Sequence, residues 1–161
     1  DIVADLIVKE KVENVVIGIG QLKNADQRIK LSRWLLSLNL KFPPIISPDA
    51  IVNDSVSIGQ GTVVMDGVVI NTGTIIGDFS IVNTSASIDH DCSIGDFVHI
   101  APGVTISGGV KVGNETLIGV GATVIQNIDI MKNSIIGAGS VIIKNCNKSG
   151  LYFGNPARFL R

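Results

Sequence analysis

The stretch Ile70-Asn71-Thr72-Gly73-Thr74-Ile75-Ile76-Gly77-Asp78-Phe79-Ser80-Ile81-Val82-Asn83-Thr84-Ser85-Ala86-Ser87-Ile88 carries Ile or Val at every sixth residue. Followed outward, the period runs from Ile46 to Ile142 without a miss. A short fixed period settles architecture before any propensity argument. Here it specifies a mainly β protein, a parallel β-helix of hexapeptides. With Ile/Val as position one, position five is mostly small (Thr62, Ser80, Ala86, Cys92, Ala122). Position one is expected to fill the core and position five a tight corner beside it. Position two favours Asn53, Gly59, Gly77, Asn83, Asp89, Gly95 and Gly113, and is expected to supply the unusual dihedrals of sharp turns. Three short strands and three turns make a triangular coil of about 18 residues. One coil cannot bury its own face, so only a stack is stable. The repeats give between five and six coils, with the frame unbroken through residue 147 and no inserted loop.

Two units follow from this, residues 1–44 and 45–161. Residues 1–44 lie outside the repeat. Asn14 to Gly20 reads as a buried strand ending in a glycine turn, and Gly18 and Gly20 either shape that turn or admit a ligand to the backbone. Asn24 or Asp26 is expected to cap a helix containing Ile29, Leu35 and Leu38, which Pro43-Pro44 follows. Such a strand, turn and helix fit the later half of a small α/β domain. A helix is expected over residues 1–11. Leu151 to Phe153 reads as a closing strand over the open end of the stack, and Arg158 as a solvated terminal residue.

Composition excludes several classes. The net charge is −1, so nothing attracts nucleic acid or an anionic membrane. No apolar run reaches the ~20 residues of a membrane span. No signal peptide is visible, which makes a cytoplasmic location the expectation. The chain begins with Asp, so a preceding piece is expected. Cys92 and Cys146 both fall on position five, about 14 Å apart along the stack at ~4.8 Å per strand. That is too far for a disulfide, and both read as buried small apolar residues.

The repeat demands nothing of its outward positions, so reactive residues there are informative. Both histidines, His90 and His99, lie between Ile88 and Ile100. His90, at an outward position three, is flanked by Asp89 and Asp91. A neighbouring carboxylate raises imidazole basicity, as a general base requires. One coil higher, Gly108 stacks on His90. A glycine there leaves room for a reacting acyl group, and its N–H is placed to stabilise an oxyanion. Pro102, Val120 and Ala138 form a second small and apolar column, suited to a pantetheine arm. Three histidines, as a zinc hydratase site of this architecture needs, are not available, and no metal is expected. Thr72 and Thr74 make one Thr-x-Thr pair, but no rank persists, which argues against an ice-binding surface.

These residues resemble the hexapeptide-repeat acyltransferases, and more closely the family of sialic acid O-acetyltransferases and UDP-4-amino-sugar N-acetyltransferases. The resemblance rests on Val82-Asn83-Thr84, Asp89-His90-Asp91-Cys92-Ser93-Ile94-Gly95, Phe97-Val98-His99, Ile17-Gly18-Ile19-Gly20 and Gly154-Asn155-Pro156-Ala157-Arg158. It implies a left-handed β-helix with a partial N-terminal Rossmann-like domain for the nucleotide-sugar. It implies a homotrimer with sites between neighbouring helices, His90 as proton acceptor, and Asp91 raising its basicity. It implies acetyl-CoA contacts at His99, Gly108, Val120 and Ala138, and substrate contacts at Gly20 and Asn83. The family's opening strand and glycine-rich loop have no counterpart here. The expected activity is acetyl-CoA-dependent N-acetylation of a UDP-linked 4-amino-deoxy-sugar for glycan biosynthesis; O-acetylation of a sialic acid is the alternative.

Overall fold

In the computed structural model, which describes residues 7, 9–21 and 24–160, the repeat forms a parallel β-solenoid of about six turns. Its first face stacks Ile45–Ile46, Val63–Val64, Ile81–Val82, His99–Ile100, Leu117–Ile118 and Ser134–Ile136. The second stacks Ile51–Val52, Val69–Ile70, Ser87–Ile88, Thr105–Ile106, Thr123–Val124 and Val141–Ile142. The third stacks Ser57–Ile58, Ile75–Ile76, Ser93–Ile94, Lys111–Val112 and Asp129–Ile130. Register follows the period: Ile81 pairs with His99, which pairs with Leu117.

Position one is the core. From Val64 to Ile142 every one of these residues is at most 3% exposed. Ile46 is 43% exposed, because the first coil has no coil beneath it. Position five is also interior, and its hydroxyls replace missing ladder bonds. Thr74 Oγ1 donates to the Asp89 carbonyl (2.8 Å) and accepts the Cys92 N–H (3.0 Å). Ser80 does the same between Gly95 and Val98 (2.9 and 3.0 Å). A buried hydroxyl is tolerated only when so paired. Both cysteines are buried and free, as expected.

The turns correct the sequence reading. The left-handed residue is at position four, not position two: every fourth-position residue from Ser55 to Gly139 has positive φ. These include Phe79 (53°), Asp91 (57°) and Phe97 (54°). The position-two carbonyl accepts from the position-five N–H, as from Ala86 to Asn83 (3.1 Å). Positive φ at the third residue of such a turn is the type II pattern. Position-two glycines serve close approach instead. A Cβ on Gly119 would stand 2.7 Å from the Ala138 nitrogen, inside contact distance of the next coil. The frame also ends sooner than expected. After Ile142 the coil tightens by two residues, and Cys146 bridges to Ile130.

Residues before the solenoid form a small packed unit. Its helix α1, Asp26–Ser37, buries Arg28, Ser32 and Leu35. Neither Asn24 nor Asp26 caps it; the N-cap is Ala25, with no side-chain cap bond, and Asn24 bonds the Asp26 carboxylate instead (2.6 Å). The strand expected over Asn14 to Gly20 is reduced to one parallel bridge, Asn14 to Lys41. Among the described residues Lys41 is its sole bridge partner, bonded by the Val15 N–H (3.0 Å), and Val16 to Gly20 join no ladder. The helix expected over residues 1–11 falls mostly outside the described residues; Ile7, Lys9 and Glu10 are helical. The unit docks through Ile17, Leu35, Leu40 and Phe42 against Phe79, with Phe97 packed alongside. Phe79 and Phe97 stack at 5.2 Å, and Phe42 meets Phe79 edge-on at 5.0 Å. At the other end, Gly150–Gly154 joins the first face beside Ser134–Ile136 and turns back as Ala157–Phe159, closing the stack as expected. Among the described residues no helix is long and apolar enough to cross a membrane.

Candidate active site

The corner between the second and third faces carries Asp54, Thr72, His90, Gly108 and Gln126 in one column, one residue per coil. The His90 side chain is 57% exposed, and its Nδ1 lies 2.8 Å from Asp91 Oδ2. Adjacent residues meet this way because Asp91 occupies the left-handed position of the turn. Asp tolerates that region better than most side chains. The turn is pinned to both neighbours. Asp91 N–H donates to the Thr72 carbonyl (3.0 Å), and the His90 carbonyl accepts from Gly109 (2.9 Å).

Asp89, expected only as a carboxylate flanking His90, also organises the backbone of the turn. Its Oδ1 accepts the His90 backbone N–H (2.8 Å) and Asn71 Nδ2–H (2.9 Å). Asn71 Oδ1 in turn accepts from Asn53 (2.8 Å). This ladder of amides holds the Asp89 carboxyl below its ordinary range, with the Asn71 bond the largest cause. The His90 imidazole is pushed above its ordinary value, first by the Asp91 hydrogen bond and then by the Asp89 charge. With the Nδ1–H donated to the Asp91 carboxylate, the bare Nε2 is the basic atom.

That atom faces Gly108. A Cβ built there would stand 2.7 Å from both Nε2 and Cε1 of His90. The Gly108 N–H makes no hydrogen bond among the described residues, whereas Gly109 N–H is spent on His90. His90 and Asp89 line two open grooves. One, about 500 Å³, continues upward past Ser107, Gly108, Gln126 and Asn127. The other, about 480 Å³, continues downward past Asn71, Thr72, Asn53 and Asp54.

The remaining sequence candidates lie elsewhere. Val120 (55% exposed) and Ala138 stack above Pro102, but on the corner between the first and second faces. The width of the second face therefore separates them from His90 within one chain. His99 sits half-buried on the first face. Its Nδ1 is 2.9 Å from the Gln21 carbonyl and its Nε2 is 3.4 Å from Asn83 Nδ2. Burial holds its pKa below the ordinary histidine value, with the Arg28 charge acting in the same direction. Among the described residues Gly18 and Gly20 have no neighbour within 4 Å of a built Cβ, and neither has positive φ, so no left-handed turn or close approach there requires glycine. They border an apolar groove of about 190 Å³ with Val63, Met65 and Ile81. Among the described residues no cluster of three His, Cys, Asp or Glu is placed to hold a metal.

Comparison with known proteins agrees with this geometry. The family described as bacterial transferase hexapeptide (six repeats) matches residues 73–108. No curated protein sequence matches the chain. Among solved structures, PerB from Caulobacter crescentus, in complex with CoA and GDP-perosamine, is 35% identical. That match has a TM-score of 0.93 and covers 100% of this chain and 76% of PerB. The acetyltransferase domain of PglB from Neisseria gonorrhoeae FA1090, in complex with acetyl coenzyme A, is 39% identical at a TM-score of 0.81, covering 86% of this chain and 68% of that one. WeeI from Acinetobacter baumannii AYE is 30% identical at a TM-score of 0.83, covering 91% and 70%. The chain belongs to the hexapeptide-repeat acyltransferases, the family that holds PerB and the PglB acetyltransferase domain.

Proposed function

We propose that this protein transfers the acetyl group of acetyl-CoA to the amino group of a nucleotide-linked amino-sugar, with His90 as general base. The observation that carries this reading is one corner. An exposed imidazole is fixed by Asp91 at Nδ1 and turned with Nε2 toward a glycine whose N–H is unspent. In the reaction the amine nitrogen attacks the thioester carbon and His90 Nε2 takes its proton. A C–N bond forms, and the Gly108 N–H stabilises the tetrahedral oxyanion. The C–S bond then breaks, and the leaving thiolate takes the proton from His90. No covalent enzyme intermediate is required. The CoA-bound and acetyl-CoA-bound relatives support the donor, and the GDP-perosamine bound to PerB supports an amino-sugar acceptor over a sialic acid hydroxyl.

The finer reading follows from the separation of the two corners. His90, Gly108 and Asp91 on one solenoid face the Val120–Ala138 column and His99 of a neighbour in a homotrimer of left-handed helices. Acetyl-CoA lies along that seam. The unit over residues 1–44 is the later part of a Rossmann-like nucleotide-sugar domain. The parallel Asn14–Lys41 bridge across α1 and the uncrowded Gly20 support this, with Asn83 beside the acceptor. The setting is cytoplasmic glycan biosynthesis.

The test is CoA release from acetyl-CoA with UDP- and GDP-linked 4-amino-sugars and free sialic acid. Wild type is expected to turn over an amino-sugar. His90→Ala is expected to lose about 10²–10⁴-fold in kcat while still binding acetyl-CoA. Near-normal turnover in His90→Ala would refute the mechanism, and turnover of sialic acid alone would refute the acceptor.

A further inference from the structure

The contact between the N-terminal unit and His99 fixes more than a docking geometry. A carbonyl oxygen accepts only, so His99 Nδ1, 2.9 Å from the Gln21 carbonyl, carries a proton. The other ring nitrogen agrees. Asn83 Oδ1 accepts from the Thr84 N–H (2.8 Å) and Oγ1 (3.3 Å), which turns Asn83 Nδ2, a donor, toward His99 Nε2 (3.4 Å). Two independent partners therefore select one neutral tautomer, with Nε2 a bare acceptor. The Asn83 bond to it is long, so a ligand displaces it at little cost.

The group behind Gln21 is unusual. Arg28 is 2% exposed and Gln21 3% exposed. Arg28 Nη2 donates to the Phe79 carbonyl at the solenoid corner, and Nη1 reaches Gln21 Oε1 at 3.5 Å. Among the described residues Arg28 Nε and Gln21 Nε2 have no partner, and no carboxylate pairs with the guanidinium. An unpaired buried cation is costly. Burial lowers its pKa to about 10, so it keeps its charge at neutral pH. Burial does most to keep the His99 imidazole neutral, and the Arg28 charge adds to it, against the Gln21 carbonyl bond, which by itself favours the protonated ring.

We propose that Gln21 and Arg28 are positioning residues for acetyl transfer: the Gln21 carbonyl fixes His99 as the Nδ1–H tautomer and Arg28 opposes its protonation, leaving Nε2 to accept a hydrogen bond from an N–H of the cofactor's pantetheine arm. The proposal rests on the reading of His99 as an acetyl-CoA contact. It divides the labour at the site. Gly108 donates to the thioester oxygen, and His99, lacking a proton at Nε2, holds the arm. The N-terminal unit thereby contributes to the cofactor site through a backbone carbonyl 78 residues away in sequence.

The chain has two histidines, so ring nitrogen–proton NMR of the labelled protein separates them directly. Wild-type His99 is expected as the neutral Nδ1–H tautomer at pH 7, while His90 titrates above the ordinary value. CoA is expected to shift His99 Nε2 without protonating it. Arg28→Met should raise the His99 pKa and raise KM for acetyl-CoA about two- to tenfold, the worth of one net hydrogen bond, with Arg28→Lys recovering part of both. Wild-type His99 seen as the Nε2–H tautomer, or charged at pH 7, would overturn the proposal even if Arg28→Met failed to fold. So would CoA leaving His99 unmoved, or a folded Arg28→Met unchanged in both tautomer and KM. Failure of the acetyltransferase reading is separate: wild type would then release no CoA with any amino-sugar.

Discussion

Gly108→Ala isolates the role of the His90 corner. Gly108 lacks positive φ, so alanine fits its backbone. The added Cβ would nevertheless stand 2.7 Å from Nε2 and Cε1 of His90. Ordinary carbon contacts lie near 3.5–4.0 Å, so the ring must retreat by about 1 Å. The exposed ring has space to do so, and the fold is left intact. The Gly108 N–H also survives the change, so any loss of rate belongs to the displaced base rather than to the oxyanion donor. Misplacement by about 1 Å costs on the order of 10²-fold in rate. The expected result is a kcat about 10²-fold lower by CoA release. The melting temperature should stay within a few degrees, since glycine-to-alanine replacement at an unstrained position changes stability by at most about 1 kcal/mol. A variant with wild-type kcat would show that Nε2 does not work from the place the structure gives it. A variant that melts far lower would show that the packing around Gly108 is tighter than the open groove implies.

Asp91→Asn keeps an acceptor for Nδ1–H but replaces the carboxylate whose hydrogen bond contributes most to raising the His90 pKa. The base works unprotonated, so the acid limb of kcat/KM against pH should move to lower pH while the plateau falls. An unmoved limb would detach Asp91 from His90. Ser107→Asp places a carboxylate where Asp89 stands one coil below, and Asp89 occupies the His90 N–H. It should take the Gly108 N–H and lower kcat by about 10²-fold or more; unchanged kcat would remove Gly108 from the oxyanion role. Ile100→Ala, fully buried mid-stack, should cost about 2–5 kcal/mol in urea unfolding, whereas Ile46→Ala, 43% exposed at the open end, should cost under about 1 kcal/mol. Equal costs would contradict the graded burial of the first coil.

The solenoid was legible because its signal is repeated and local: each hexapeptide states its own strand, turn and inward residue. Stacking at the 18-residue interval carried the site equally far, putting Gly108 over His90 and Val120 under Ala138. The turns were misread because glycine has two uses. At position two it yields space to the next coil, as Gly119 does to Ala138. The left-handed position four admits Phe79, Phe97 and Glu115, residue types that give no such sign. Gln21 was invisible because it acts through a backbone carbonyl, and the α1 cap because Asn24 spends its side chain on Asp26. The placement of Val120 and Ala138 on a different corner from His90 was also implicit in the period, since position three recurs at all three corners.

The corner suits acyl transfer for a reason that lies in the ladder itself. Position-four amides are committed to the coil below, as Gly109 is to His90 and Asp91 to Thr72. Position-three amides are left over, because no strand or turn bond uses them. The chain closes several with acidic or amide side chains: Asp89 on His90, Asn83 on Thr84, Asp78 on Gln60 and Asn114 on Asp96. Above His90 the preceding residue is Ser107, and the Gly108 amide stays open. The next residue down the column is the base. An oxyanion donor and a proton acceptor thus arise on adjacent coils of one column, without any loop or insertion. The solenoid creates a spare donor at each corner where position three is not proline, and this chain turns one into a candidate active site through three local choices: a histidine at position three, an aspartate in the left-handed position beside it, and glycine directly overhead.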